Sequence, residues 1–289
     1  MFNHDKLSKS EIKELGLIST MVRMHVINMI ANAKSGHPGG SLSAVDILVT
    51  LYGKCMRHYK EWSEHPEFED RDRFVLSKGH ASAALYAVLA EFEYFPVEEL
   101  MTFRKFGTRL QGHPSYGYLP GIEVSSGSLG QGLSMACGMA LGLKLDKKDS
   151  YVYCYCGDGE MQEGQIWEAI MGASQHKLDN LILFVDRNNL QIDGQVDDIK
   201  SLGDLKARFE AFDWAAMEIN GHKYQEIFQA VSKAHKIGKK HKCPVAIICD
   251  TIKGKGVSFM ENNPDWHGKA PKEEETERAL QELRGDYNG

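Results

Sequence analysis

The sequence predicts an α/β protein: a single doubly wound, mainly parallel sheet with helices on both faces. Three observations predict it. Short apolar runs alternate with helical patterns along the chain, the order that builds a parallel sheet. Two of these runs, Tyr151–Cys156 and Leu181–Val185, each stop at a polar cluster, Gly157-Asp158-Gly159 and Asp186-Arg187-Asn188-Asn189. The 289 residues suffice for one large domain or two smaller ones, and no repeat, low-complexity linker or composition shift divides them.

From the N-terminus, Ile12, Leu15, Ile18, Val22, Val26, Ile27 and Ile30 recur at helical spacing, so a helix is expected from about Lys9 to Ala33. Pro38 and the glycines of Lys34–Ser41 read as a break, with helix resuming near Ser43 and ending near Tyr52. A charged connector, Lys60 to Asp72, leads to a short strand, Arg73–Leu76, then Ser77-Lys78-Gly79-His80 and a small-residue helix, Ala81–Glu91. Glu98–Phe106 reads as helix and Gly107–Val124 as a turn-rich passage. Ser125–Gly132 opens an Ala/Gly/Met-rich helix ending near Lys144. Beyond Asn189 come a polar loop, Asp193–Leu202, and an amphipathic piece, Leu205–Phe212. A strand at Ala216–Ile219, a helix from Tyr224 to Gly238 and a strand at Val245–Cys249 follow. Lys253-Gly254-Lys255-Gly256 and a charged helical tail, beginning at about 272, complete the chain.

Composition excludes several classes. A net charge of −6 with both signs interspersed lacks the basic patch of a nucleic-acid binder. No apolar run is long enough for a transmembrane helix, and Met1–Gly16 is polar and helix-like, unlike a signal peptide. A cytoplasmic location is the expectation. The six cysteines form no CxxC pair. Cys154 and Cys156 share one face of a strand, and buried small hydrophobes in a reducing compartment are the favoured reading.

The chemistry concentrates at strand ends. A right-handed crossover brings the carboxyl ends of parallel strands to one edge, where ligands of open α/β sheets bind. Asp158 and Asn188 can therefore converge there. A carboxylate and an amide oxygen without His or Cys suit a hard cation such as Mg²⁺ or Ca²⁺, and a phosphate commonly completes the Mg²⁺ shell. The Leu190 carbonyl, two residues past Asn188, is a third candidate ligand. A turn and a cap are the plain alternative for each half taken alone. His37, His80, His113 and His267 stand in Gly-flanked loops; if they converge, they can bind sugar hydroxyls or shuttle protons near neutral pH. His80 can also meet a phosphate at a helix start. Gly127–Gly132 lacks the Lys-Ser/Thr ending of a Walker loop, so ATP or NAD is weakly supported. Glu160 reads as a first-turn dipole partner, and spacing does not separate Glu163 and Glu168 from solvated or interface residues.

These stretches resemble the transketolase family. The carriers are SGHPGG at 35–40, SKGHAS at 77–82, QGHPSYGYLPGIEVSSGSLGQG at 111–132, GDGEMQEGQIWEA at 157–169 with Asn188, and WHGKAP at 266–271. The resemblance implies the thiamine diphosphate-binding fold, thiamine diphosphate as cofactor, and Mg²⁺ (with Ca²⁺ or Mn²⁺ as substitutes) held by Asp158, Asn188 and the Leu190 carbonyl. It implies that Gly159 and His80 contact the diphosphate and that Gly127 and Leu129 support the rings. His37, His80, His113 and His267 would line the substrate channel, His267 within reach of the cofactor too. Glu163 and Glu168 would sit in an acidic relay at the subunit boundary. The match covers only the family's first domain. The glutamate that activates the aminopyrimidine belongs to a later domain. The chain thus resembles the N-terminal subunit of a split transketolase, expected to be inactive without a C-terminal partner carrying the pyrimidine-binding domain. An α2β2 heterotetramer acting on sugar phosphates is the family's pattern. A 1-deoxyxylulose-5-phosphate synthase-like activity, transfer from an unusual sugar, or a non-catalytic homologue are the alternatives.

Overall fold

The computed structural model describes residues 6–58 and 70–288, with side chains described as far as 285. Most of the expected charged connector, and the first residues of the N-terminal segment, lie outside the described residues.

Helix α1 (Lys9–Ala33) starts at a capping box, in which Ser8 accepts from the Glu11 amide and Glu11 reaches back to the Ser8 N–H. Helix α2 spans Pro38–Thr50 and runs into a π-turn, Leu51–Cys55. Strand β1 (Arg73–Leu76) leads through a 3₁₀ turn, Gly79–Ala81, into α3 (Ser82–Glu91). A second 3₁₀ turn covers Val97–Thr102. Helix α4 (Gln131–Leu145), β2 (Val152–Gly157), a 3₁₀ turn at Gly159–Gln162, α5 (Gly164–Gln175) and β3 (Leu181–Arg187) follow. Next come a two-residue ribbon, β4 (Leu190–Gln191) and β5 (Gly194–Gln195), then α6 (Val196–Lys200) and α7 (Leu205–Ala211). The chain closes with β6 (Ala215–Asn220), α8 (Tyr224–His241), β7 (Val245–Asp250), a 3₁₀ turn at Pro264–Trp266, and α9 (Glu273–Asn288).

Strands β1, β2, β3, β7 and β6 form one sheet in that spatial order, every pair parallel. Side-chain alternation divides the interior into two layers. Tyr153, Tyr155, Ile182, Phe184 and Ile247 face α1, α2, α3 and α8. Val152, Cys154, Cys156, Leu183, Val185 and Ile248 face α4, α5 and α7. The doubly wound reading holds, and Cys154 and Cys156 are fully buried hydrophobes. In-register pairing of Gly157 with Asp186 and of Asp186 with Cys249 aligns the carboxyl ends of β2, β3 and β7.

The structure departs from the sequence reading at three places. Helix α2 begins at Pro38, not near Ser43, because Pro at the first helical position is preorganised and loses no hydrogen bond. Its glycines serve close packing: a Cβ on Gly39 would sit 3.0 Å from the Trp266 carbonyl oxygen, and one on Gly40 3.2 Å from His80 Nε2. The helix expected over Glu98–Phe106 is only the 3₁₀ turn Val97–Thr102. Arg104 takes a left-handed conformation (φ 59°) and its N–H turns to the Leu110 carbonyl. The polar loop after Asp193 contains β5 and α6.

Candidate active site

Four adjacent strands deliver polar groups to one edge of the sheet. β1 ends at Ser77, Lys78 and His80; β2 at Asp158; β3 at Asn188; β7 at the loop holding Lys253. Lys78, His80, Asp158, Asn188 and Lys253 line a cavity of about 320 Å³. A larger hollow of about 980 Å³ lies between α1 and α9, and none of the candidate site residues lines it.

Among the residues selected from sequence, His37, His80, His113, His267, Gly127, Leu129, Asp158, Gly159, Glu163, Asn188 and Leu190 all line the site cavity. Glu168, on α5, does not; it is exposed. Glu163 is also exposed and stands at the residue before α5, without a side-chain hydrogen bond to the helix.

Asp158 is buried, and backbone N–H groups hold both of its oxygens. Oδ1 accepts from Gly159 (2.8 Å) and Oδ2 from Asn189 (2.5 Å). Burial, then the neighbouring Asp186 carboxylate, raises its pKa to about 6. Asn188 Oδ1 accepts from the Leu190 N–H (3.1 Å), which closes a tight turn over Asn189 in the left-handed region (φ 60°). Gln191 Oε1 is buried with no hydrogen-bond partner and points toward Gly159. The donor set here is oxygen throughout, with a buried carboxylate and an orphaned amide oxygen. It fits a hard cation of the Mg²⁺ type.

The cations complementing this set were not singled out from sequence. Lys253 Nζ donates to the Leu190 carbonyl (2.9 Å) and to His267 Nδ1 (2.7 Å). An ammonium only donates, so Nδ1 of His267 is the acceptor and the ring proton sits on Nε2. Burial, then the charge of Lys78, lowers Lys253 to about 8. Lys78 is fully buried and pairs with Asp186, which also accepts from Ser43 Oγ (2.7 Å) and from Thr251 Oγ1. Burial alone would raise Asp186, but Lys78 and the hydroxyls outweigh it, and its carboxyl titrates below the usual value. Both lysines follow strand ends at the same edge as Asp158 and Asn188, and that rule is the signal that could have found them.

Glu160 is a second group the sequence reading undervalued. It is buried, and its carboxylate accepts from Ser77 Oγ (2.5 Å), Gly130 N (2.9 Å) and Gly157 N (3.1 Å). It therefore ties together the ends of β1 and β2 and the start of α4. Gly127 (φ 139°) and Gly130 (φ 85°) both need backbone angles that favour glycine. A Cβ on Gly127 would also meet the His113 ring at 3.1 Å.

The four histidines do converge. Ring centroids of His37 lie 5.3 Å from His80, 6.4 Å from His113 and 5.6 Å from His267, and His80 lies 5.3 Å from His267. Burial is the first cause lowering all four, and nearby cations add to it. His37 falls to about 4 and His267 to about 3, with His80 well below the ordinary value and His113 also lowered. The mixture of charged and neutral imidazoles allowed by the sequence is thus resolved toward neutral rings at pH 7. Arg104 donates to His37 Nδ1 (3.4 Å) and Ser35 Oγ (2.8 Å), which leaves His37 Nε2 to carry that ring's proton.

A parallel α/β sheet with an oxygen- and lysine-lined cleft at its carboxyl edge is the setting in which a thiamine diphosphate-binding family is matched. The family model described as "Transketolase, thiamine diphosphate binding domain" matches residues 16–287. The chain belongs to the transketolase family, as its thiamine diphosphate-binding domain. It is 41% identical to one of the subunits of apulose-4-phosphate transketolase from Phocaeicola vulgatus, over 94% of this chain and 95% of that one. It is 42% identical to 6-deoxy-6-sulfo-D-fructose transketolase subunit SqwG of a Clostridium species, over 92% and 94%. The crystal structure of transketolase from Campylobacter jejuni superposes with a TM-score of 0.86 at 35% identity, covering 98% of this chain and 44% of that one. The chain thus spans nearly all of the subunit relatives and under half of the Campylobacter jejuni transketolase chain.

Proposed function

We propose that this chain is the diphosphate-binding subunit of a Mg²⁺-dependent transketolase. With a separate subunit carrying the pyrimidine-binding domain, it moves a two-carbon ketol unit from a ketose to an aldose, usually phosphorylated. The observation that carries the reading is the meeting of Asp158, Asn188 and Leu190 oxygens with Lys78 and Lys253 at one sheet edge. The names of the two subunit relatives support a partner chain. The exposure of Glu163 and Glu168, beside and on α5, supports placing both at the subunit boundary of an α2β2 assembly. All six cysteines are free, which fits the cytoplasm. Among the described residues, no helix is long and apolar enough to cross a membrane.

In this reading Asp158, Asn188 and the Leu190 carbonyl hold Mg²⁺, with the second lone pair of Leu190 O free for the ion while Lys253 uses the first. Gly159, His80 and Lys253 would contact the diphosphate, and Gly127 and Leu129 would back the rings. Bound thiamine diphosphate supplies a carbanion-stabilising ring, the chemistry that protein side chains lack. His37, His80, His113 and His267 then do the chain's own work: as neutral rings, His37 and His267 keep Nε2–H to donate, their Nδ1 atoms accepting from Arg104 and Lys253, and His80 and His113 pair one donor nitrogen with one acceptor. That pairing suits ketose hydroxyls and carbonyl oxygens. Beside a bound anionic cofactor, the histidines would hold a proton more readily than in its absence and would pass protons near neutral pH.

The test is assay of the purified chain, alone and mixed with its C-terminal partner, on a panel of donors including xylulose 5-phosphate with ribose 5-phosphate, and pyruvate with glyceraldehyde 3-phosphate. Ketol transfer only in the mixture is the expected result. Strong turnover by this chain alone overturns the divided site, and preference for pyruvate overturns the transketolase reading. Asp158→Ala is expected to abolish Mg²⁺-dependent cofactor binding in calorimetry, and unchanged affinity refutes the metal assignment.

A further inference from the structure

Lys253 reaches the site from a loop, and a loop alone does not fix a long side chain. Two bonds bracket it. The Ile252 N–H donates to His222 Nε2 (2.8 Å), and the Lys255 carbonyl accepts from Arg23 Nε (3.1 Å). Because Nε2 of His222 is an acceptor, its Nδ1 carries the proton and donates to Asp46 Oδ2 (2.8 Å). Arg23 donates to the same oxygen (2.6 Å), and Tyr224 Oη to Oδ1 (3.0 Å). Asp46 is buried on α2, the helix whose first turn packs Gly39 against Lys253 Cγ. Burial alone would raise Asp46, but Arg23 and His222 outweigh it and keep the carboxyl ionised, well below the usual range.

The loop is shaped to receive this grip. Gly254 (φ 80°) lets its N–H reach the Gly39 carbonyl (3.0 Å), and a Cβ there would sit 2.3 Å from the Met260 carbonyl oxygen. Gly256 (φ 94°) leaves room for the Arg23 stem, whose Cδ would lie 3.0 Å from a Cβ. Arg23, Asp46 and His222 line a different opening and are not among the residues lining the site cavity. Their bonds to the loop go to its backbone, one residue before Lys253 and two after it.

We propose that Asp46, acting through Arg23 and His222, forms a clamp of positioning residues that holds the backbone on either side of Lys253 so that its ammonium points at the diphosphate site. The inference rests on the reading above that Lys253 meets the cofactor. With the clamp cut, the loop must be re-ordered each time cofactor binds, and the affinity falls by about tenfold, the cost of fixing roughly one residue's backbone.

The experiment uses the full chain mixed with its partner subunit. Thiamine diphosphate affinity in Mg²⁺ is measured by calorimetry, and amide exchange over residues 251–256 by mass spectrometry. His222→Ala is expected to weaken binding about tenfold and to speed exchange in that segment while β2 and β3 stay protected. His222→Gln, which keeps an acceptor for Ile252 and a donor for Asp46, is expected to restore both. Arg23→Lys, which keeps a cation beside Asp46 but loses the Nε–H to Lys255, reports on the second arm should His222→Ala fail to fold. In a double-mutant cycle, His222→Ala added to Lys253→Met is expected to cost little more than Lys253→Met alone. Full additivity shows that His222 does not act through Lys253 and overturns the clamp, as does unchanged exchange over 251–256. A Lys253→Met chain that binds cofactor like the unaltered protein overturns the role of Lys253, and the clamp's purpose with it. A weakened Lys253→Met beside a normal His222→Ala overturns the clamp alone.

Discussion

Replacing Glu160 by Gln exchanges one carboxylate oxygen for an amide nitrogen and barely changes the shape. The two oxygens divide three donors, with Oε1 taking Ser77 Oγ and Gly130 N, and Oε2 taking Gly157 N. Glutamine has one acceptor oxygen, so if it keeps Ser77 and Gly130, its amide nitrogen faces the Gly157 N–H, donor against donor. The side chain is buried, and water does not replace the lost partner. Leaving a buried donor unpaired costs about 1–3 kcal/mol, and the remaining bonds lose their charge assistance, so we expect Glu160→Gln to lose about 2–4 kcal/mol of stability. Equilibrium urea unfolding near neutral pH measures it, as a lower midpoint with an unchanged slope. Glu163→Gln, three residues on but exposed, is expected to stay within about 0.5 kcal/mol. Amide exchange at Gly130 and Gly157 locates the damage: both are expected to lose protection before the sheet does. A loss under about 1 kcal/mol would refute the reasoning, because it would mean that Glu160 is a solvated dipole partner of the following turn rather than the tie between three elements.

Other predictions concern charge, space and pH. Lys78→Met leaves Asp186 buried without its cation and is expected to cost about 3–5 kcal/mol in urea unfolding, with much of it recovered by adding Asp186→Leu; no recovery in the double variant would contradict the pairing. Gly132→Ala places a Cβ 2.7 Å from Ser77 Cα, a backbone atom that cannot swing away, and about 1–3 kcal/mol of destabilisation should appear in thermal melts. His235 is stacked on Tyr151 at 3.7 Å and hydrogen-bonded to Tyr153 Oη, and burial followed by Lys239 and Arg57 lowers it to about 3. The unfolded chain takes up this proton below about pH 6.5 and the folded chain does not until near its own lowered value. Stability contributed by the neutral ring is therefore present above the unfolded pKa and falls as pH drops, by about 2 kcal/mol at about pH 5. His235→Phe should flatten the stability curve between neutral and mildly acidic pH, and an unchanged slope would show that other groups set it.

The sequence by itself determined the layers and most of the cleft. Short, continuous apolar runs separated by helical patterns point to a parallel sheet covered on both faces, and parallel crossovers carry Asp158 and Asn188 to the same edge. Local pattern also marked the four Gly-flanked histidines, because glycines let the chain turn sharply where a ligand approaches. It misjudged Pro38-Gly39-Gly40, whose residues break isolated helices yet here start one, since only tertiary packing reveals that the missing Cβ atoms make room for Lys253, Trp266 and His80. It could not weigh Glu160, Lys78 or Lys253 either. A charged residue reads as solvated until burial is known, and burial depends on which strands become neighbours. The bond from Arg23 to Lys255 joins residues 232 apart, and the one from Ser77 to Glu160 joins residues 83 apart. Periodicity reports on a residue's own turn or strand and carries no information at such separations. Tertiary structure alone decided that burial disfavours the charged form of the histidines, that two lysines line the same cleft as Asp158, Asn188 and Leu190, and that a buried aspartate on a distant helix holds the loop that brings one of them there.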